Sequence, residues 1–307
     1  MDKRASRRST VALAAAGALA STGTAVLGAR NLLTGQADHA RQVIPKAWAP
    51  PPRADGVYSR GGGPVRRFQR GDRVDLHVML FGDSTAAGYG CRRTDELPGV
   101  LIARDLADRT SGRIRLSTKA IVGATSKGLC GQVDAMLVAG PPPEVAVILI
   151  GANDVTALNG IAASARRVGL VVQQLRDKGA TVVVGTCPDF GVITAIPQPL
   201  RWVTRARGLQ LARAQAAAIT AAGGIAVPLA ELLARRFVGA PHLLSEDRYH
   251  PSAAGYALIA AELRRAVRAA VTPPVALDPA PRRAPVAAVR PARHPLAGCP
   301  VASTSER

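Results

Sequence analysis

"EVAVILIGANDVT", residues 144–156, changes character once, and that change decides the architecture. Every residue from Val145 to Ile150 is apolar, and most are β-branched. A strand with one face in water would alternate polar and apolar positions; an unbroken run of this length suits a strand covered on both faces. Gly151, Asn153 and Asp154 then bring small, turn-forming residues where the strand must end. A strand of this kind belongs in a parallel sheet with helices packed on either side.

The same alternation extends in both directions. Strands are predicted at 75–82, 113–121, 181–188 and 225–230. Segments with one apolar face at helical spacing lie between and after them, at 97–110, 126–140, 163–179, 205–224 and 251–271. Gly179 and the pair Gly223-Gly224 stop two of these helices, and Pro251 stands near the first turn of the last. Strand–helix alternation predicts an α/β fold with one central parallel sheet, doubly wound. Ligands of such sheets bind beyond the carboxyl ends of the strands.

Four short blocks carry candidate chemistry, three of them just after strands and the fourth just before the last helix. In "FGDSTAAGYG", residues 81–90, Ser84 follows the first core strand between Gly82-Asp83 and small residues. A hydroxyl there caps a helix or attacks a substrate; Asp83 reads as a turn-holding residue. In "AIVGATSKG", residues 120–128, Gly123 lets backbone approach a ligand closely, so its N–H can face a developing oxyanion. In "ILIGANDVT", residues 148–156, the Asn153 amide donates without carrying charge; an Asx turn is the other reading. In "SEDRYHPSAAGYALIA", residues 245–260, Asp247 and His250 are three apart before a helix. A tight turn brings that carboxylate to one imidazole nitrogen and leaves the other free as a base.

In this order the four blocks resemble the SGNH hydrolases, the GDSL-type lipase/acylhydrolase family. The resemblance covers roughly residues 75–270. It maps the family's four signature residues onto Ser84, Gly123, Asn153 and His250, with the accompanying acid at Asp247. It implies a three-layer α/β/α, flavodoxin-like sandwich and serine-ester chemistry. Ser84 would be the nucleophile, His250 the base and Asp247 its orienting partner. The N–H groups of Ser84 and Gly123 and the side chain of Asn153 would form the oxyanion hole. No metal or organic cofactor is expected. His242 is the rival base, without a carboxylate at matching spacing. His77 reads as a core residue, and a nucleophilic Cys91 lacks a supporting pattern.

The implied activity is hydrolysis of a small-molecule, lipid or glycan ester. The alternatives are an acyltransferase using the same serine and a non-catalytic envelope-binding module. The segment "PDFGVITAIPQPLRW", residues 188–202, follows a strand and lacks helical pattern. It is expected to border the site, with Phe190, Ile193, Ile196, Leu200 and Trp202 as an acyl-binding lip or as a packed loop.

The remaining features bound the setting. The 307 residues are 48% hydrophobic but only 3% aromatic, so aliphatic side chains must build the core. The formal charge of +19 is scattered and lacks the aromatic interleaving of a nucleic-acid module. It suits an Arg-rich surface or attraction to an anionic membrane or envelope polymer. Cys91, Cys130, Cys187 and Cys299 form no CxxC pair, which argues against structural zinc; free thiols and disulfides stay open.

Basic residues at 3–8 precede an uncharged run from Ser9 to Ala29. The pattern is that of an export signal or membrane anchor at 1–30, and Arg7-Arg8 hints at the twin-arginine type. A Pro/Gly-rich linker at 31–72, a catalytic domain at 73–271 and a disordered Pro/Ala/Arg-rich tail at 272–307 complete the expected organisation. The protein is thus expected outside the cytoplasmic membrane, anchored or secreted, as a monomer.

Overall fold

The computed structural model describes residues 27–40, 42 and 51–271. Most of the expected export segment and all of the expected tail, with Cys299, lie outside the described residues. Residues 27–40 are helical (α1). The order then runs β1 (Gly56–Tyr58), β2 (Leu76–Gly82), α2 (Ser84–Ala87), α3 (Pro98–Thr110), β3 (Ile114–Thr118), α4 (Ser126–Ala139) and β4 (Val145–Leu149). It continues with α5 (Ala152–Thr156), α6 (Ile161–Asp177), β5 (Thr181–Gly185), α7 (Leu200–Ala221), β6 (Ile225–Val227), α8 (Leu229–Phe237) and α9 (Ala253–Val271).

The strands form one sheet in the order β1-β3-β2-β4-β5-β6. All neighbours are parallel except β1, which pairs antiparallel with β3 through Gly56↔Leu116 and Tyr58↔Ile114. The expected parallel sheet therefore carries one antiparallel edge. Without β1 the order is 2-1-3-4-5, that of flavodoxin-like folds, and the switch point lies between β2 and β4. Ser84 and Asn153 follow those two strands directly.

Successive strand residues feed opposite layers. Val78 and Leu80 of β2 with Val145, Val147 and Leu149 of β4 pack against α3 and α9. Met79 and Phe81 with Ala146 and Ile148 pack under α4 and α6. All of these side chains are essentially inaccessible, which is why β4 tolerates no polar position.

Two differences from the sequence reading concern the expected linker. Helix α1 covers 27–40, and β1 lies at 56–58, within the span read as linker. A strand of three residues is too short to show a period, and its Tyr58 is held by packing in the α3 layer. Helix α8 is a third difference. Its Leu229, Leu233 and Phe237 recur at i, i+4 and i+8, but the element is nine residues long and abuts β6.

Candidate active site

Ser84 is the first residue of α2, and the turn that carries it is heavily constrained. Gly82 has φ +130°, and a Cβ there would overlap the Leu149 carbonyl. The buried Gln132 of α4 grips Gly82 at both ends: its Oε1 accepts the Gly82 N–H and its Nε2 donates to the Gly82 carbonyl, each at 2.8 Å. The Asp83 N–H donates to the Leu149 carbonyl across the switch point. Its carboxylate caps α2 by accepting the Thr85 N–H at 2.9 Å. Burial pushes the Asp83 carboxyl up to about 6, against the hydrogen bond from Thr85 and the nearby His250. The expected turn-holding role of Asp83 matches this geometry.

The base stands opposite. His250 Nε2 lies 3.0 Å from Ser84 Oγ, and His250 Nδ1 lies 2.6 Å from Asp247 Oδ2. The other carboxylate oxygen, Asp247 Oδ1, accepts the Ser245 hydroxyl and the N–H groups of Tyr249 and His250 at 2.7–2.9 Å. Burial would raise the Asp247 carboxyl, but the bonds from His250, Ser245 and Tyr249 prevail and hold it at about 2. Arg248 has φ +54°, the left-handed residue that closes this turn. The imidazole is flanked by Tyr89 and Tyr249, with ring centroids at 4.5 and 4.9 Å. Tyr256 of α9 donates to the Tyr89 carbonyl and holds that side of the slot. Such packing fixes the ring's orientation, and with it the direction of Nε2.

The oxyanion candidates are brought to the same strand ends. The 121–124 turn is fastened to β2, because the Ile121 N–H donates to the Gly82 carbonyl at 3.0 Å. Gly123 has φ +83° and open space on its Cβ side, and its N–H donates to no acceptor among the described residues. One hydrogen of the Asn153 amide goes to the Ala124 carbonyl, with Nδ2 at 2.9 Å, which leaves the other available. No N–H donates to Asn153 Oδ1 among the described residues, so Asn153 forms no Asx turn, and Asp154 is the residue that holds the loop. Its buried carboxylate accepts from the Ser126 N–H and from the side chains of Ser126, Asn159 and Ser164. The Ser84 N–H, at the first position of α2, has no carbonyl partner inside that helix.

An apolar pocket opens from the Ser84–His250 pair. Leu229, Leu233 and Phe237 of α8 line it together with Val192, Ile193 and Tyr249. Of the expected lip, only Ile193 lines this pocket. Phe190 and Ile196 are buried in a small core with Leu211, because the 188–202 segment folds back under α7. Leu200 and Trp202 are helical, in the first turn of α7, and Trp202 points into solvent. Most of the segment's apolar side chains serve packing, while Val192 and Ile193 join α8 in lining the pocket.

Other candidates resolve cleanly. His77 is buried against Ser117 Oγ at 2.9 Å, and burial with Arg115 and Lys119 brings it down to about 4. Burial pushes the Cys91 thiol up to about 12, which removes it as a nucleophile at neutral pH. The His242 ring makes no hydrogen bond to a carboxylate among the described residues. Cys91, Cys130 and Cys187 are free thiols, and no cluster of metal-ligand residues occurs among the described residues. The sequence reading missed Gln132 and Gln215. Gln215 accepts the Cys187 N–H and donates to the Ile150 carbonyl, tying β4's end to β5's. The available signal was a glutamine on the buried face of each helix.

The model of the GDSL-like lipase/acylhydrolase family matches residues 80–258. The chain belongs to that family. It is 68% identical over 267 residues to the GDSL-like esterase Rv1075c of Mycobacterium tuberculosis, covering 87% of this chain and 85% of that one. Among solved structures it is similar to a lipase/acylhydrolase from Enterococcus faecalis, with a TM-score of 0.51 and 22% identity, over 64% of this chain and 98% of that one. It is also similar to LAE5, a hydrolase from the metagenome of Lake Arreo, Spain, with a TM-score of 0.51 and 19% identity, over 63% and 95% of the two chains. These structural likenesses concern the fold. As a member of the GDSL-like family, the protein is a carboxylic ester hydrolase.

Proposed function

We propose that this GDSL-like esterase cleaves esters through an acyl-enzyme on Ser84. The observation that carries the reading is the unbroken relay from Ser84 Oγ to His250 Nε2 and from His250 Nδ1 to Asp247, at 3.0 and 2.6 Å. A serine hydroxyl needs such a base at neutral pH. As Oγ bonds to the ester carbonyl carbon, its proton passes to His250 Nε2. Asp247 stays ionised and stabilises the imidazolium. The carbonyl π electrons move onto oxygen, facing the Ser84 and Gly123 N–H groups and the Asn153 amide. Collapse breaks the ester C–O bond, and His250 returns the proton to the leaving alcohol. Water then repeats the sequence and releases the carboxylic acid and free Ser84.

The apolar pocket along α8 supports an aliphatic acyl group as the part of the substrate held next to Ser84. The basic N-terminus and uncharged run support action outside the cytoplasmic membrane; fusion of residues 1–72 to a reporter active only after export tests that part. The chemistry is tested by a fluorophosphonate probe followed by peptide mapping. Labelling of the wild type on the Ser84 peptide, with loss of activity, is the expected result. Labelling elsewhere, or an unlabelled active enzyme, would remove Ser84 from the role.

A further inference from the structure

We propose that the face carrying Trp202, Val238 and Arg235 docks on an anionic lipid bilayer. Trp202 and Val238 are each 68% exposed, and both line one groove with Gln198, Arg205 and Arg235. This groove shares Asp189, Val192 and Ala234 with the pocket that opens at Ser84. An exposed Trp beside an exposed valine is unusual on a surface otherwise rich in charge; an amphipathic indole suits the boundary between headgroups and acyl chains. Arg235 and Arg236 are exposed and meet no acidic partner among the described residues, so both are available to anionic headgroups.

The chain's own path favours a bilayer over a protein partner as the occupant. The uncharged run from Ser9 leads into α1, and Gln36 of α1 is bonded to the Gln198 carbonyl and the Leu200 N–H. Helix α1 is therefore fastened to the first turn of α7, the turn that carries Trp202. Exposed Leu32 of α1 and Pro197 line one shallow depression, and Pro197 directly precedes Gln198 of the groove. On the export reading proposed above, on which this inference rests, a membrane that receives the N-terminal run meets the chain next to the α1 helix that is bonded to the Trp202 turn.

The chain holds two tryptophans, so Trp48→Phe in the full-length protein leaves Trp202 as the sole emitter. The probe is a vesicle of phosphatidylglycerol with brominated acyl chains, which quench only at contact depth. The expected result is a blue shift and loss of Trp202 emission on these vesicles. Both are weaker on brominated phosphatidylcholine and at high salt; with unbrominated phosphatidylglycerol the blue shift remains and the loss of emission is absent. The complementary chain, Trp202→Phe with Trp48 retained, loses the part of the quenching that the wild type owes to Trp202. Sedimentation with vesicles while Trp202 emission stays unquenched would overturn the proposal. So would failure to sediment at all. A blue shift that depends on protein concentration without vesicles would assign the face to a second copy instead.

Discussion

At the scale of single residues, burial pushes up both Asp83, next to Ser84 in the chain, and Asp247, bonded to His250, but only at Asp247 do hydrogen bonds outweigh it. Asp247 is held at about 2, below its ordinary value of 3.8, so its stabilising contribution is full above pH 4 and fades as pH falls toward 2. Asp83 is raised to about 6, so the native state keeps a proton that the unfolded chain has released; stability falls as pH rises from 3.8 to 6. Asp83→Asn keeps a capping side chain and should flatten that fall, read as melting temperature against pH beside the wild type. For the reaction itself, Ser84→Ala and His250→Ala should each reduce kcat for a p-nitrophenyl ester by about 10³-fold or more, since nucleophile and base act as one unit. Asp247→Asn should cost somewhat less in the same assay, with circular dichroism unchanged. The blocks that carry these three residues were legible through their joint resemblance to the family's signature, since a lone serine after a strand, or an Asp and His three apart before a helix, also has an ordinary capping role. The pull of burial on Asp83 was not, since nothing in "GDS" tells how deep the turn lies.

At the scale of elements, the strongest sequence signal and the largest omission concern neighbouring parts. The run at 145–150 announced a doubly covered strand, and the sheet order placed its end at the switch point. Helix α8 is short and amphipathic and follows β6 after one proline, so local periodicity had too few turns to declare it. The 188–202 segment mixes two roles that local pattern does not separate: Phe190 and Ile196 face a core under α7, while Val192 and Ile193 line the pocket. Leu233 of α8 is therefore expected to govern chain length. Leu233→Trp should shift a p-nitrophenyl ester series toward acetate, with longer acyl esters falling in kcat/KM and acetate roughly kept. Alkyl acetates of varied alcohol length serve as the control; selectivity that moved along that series would place the alcohol in the pocket. The clasp from α4 is testable too. Gln132→Leu leaves the buried Gly82 N–H without its acceptor, a loss of about 1–3 kcal/mol in urea unfolding. It should also depress kcat more than KM, because the turn that aims Ser84 is released.

At the scale of the whole molecule, the chemistry and the walls of the site come from different stretches of chain. Helix α9 ends at Val271, and Ser84, Gly123, Asn153, Asp247 and His250 all precede that end. Removal of 272–307 should leave kcat/KM on a soluble ester within about two-fold of the full chain; a collapse of activity would mean that the tail completes the fold. The terminal segments were legible only as composition, and α1 was hidden by the Pro- and Gly-rich residues that follow it. The turns of Ser84, Gly123 and Asn153 are held through backbone bonds and Gln132, and the Asp247–His250 turn meets them through the His250 side chain, whereas α8 contributes no catalytic atom. Descent can therefore act on these two parts at different rates. Residues 229–237 are free to diverge between relatives while the reacting atoms stay fixed, and one ancestral scaffold can give rise to esterases of unlike diet. Exchange of that nine-residue helix between two family members is expected to transfer the donor's acyl preference and leave the recipient's pH–rate profile where it was.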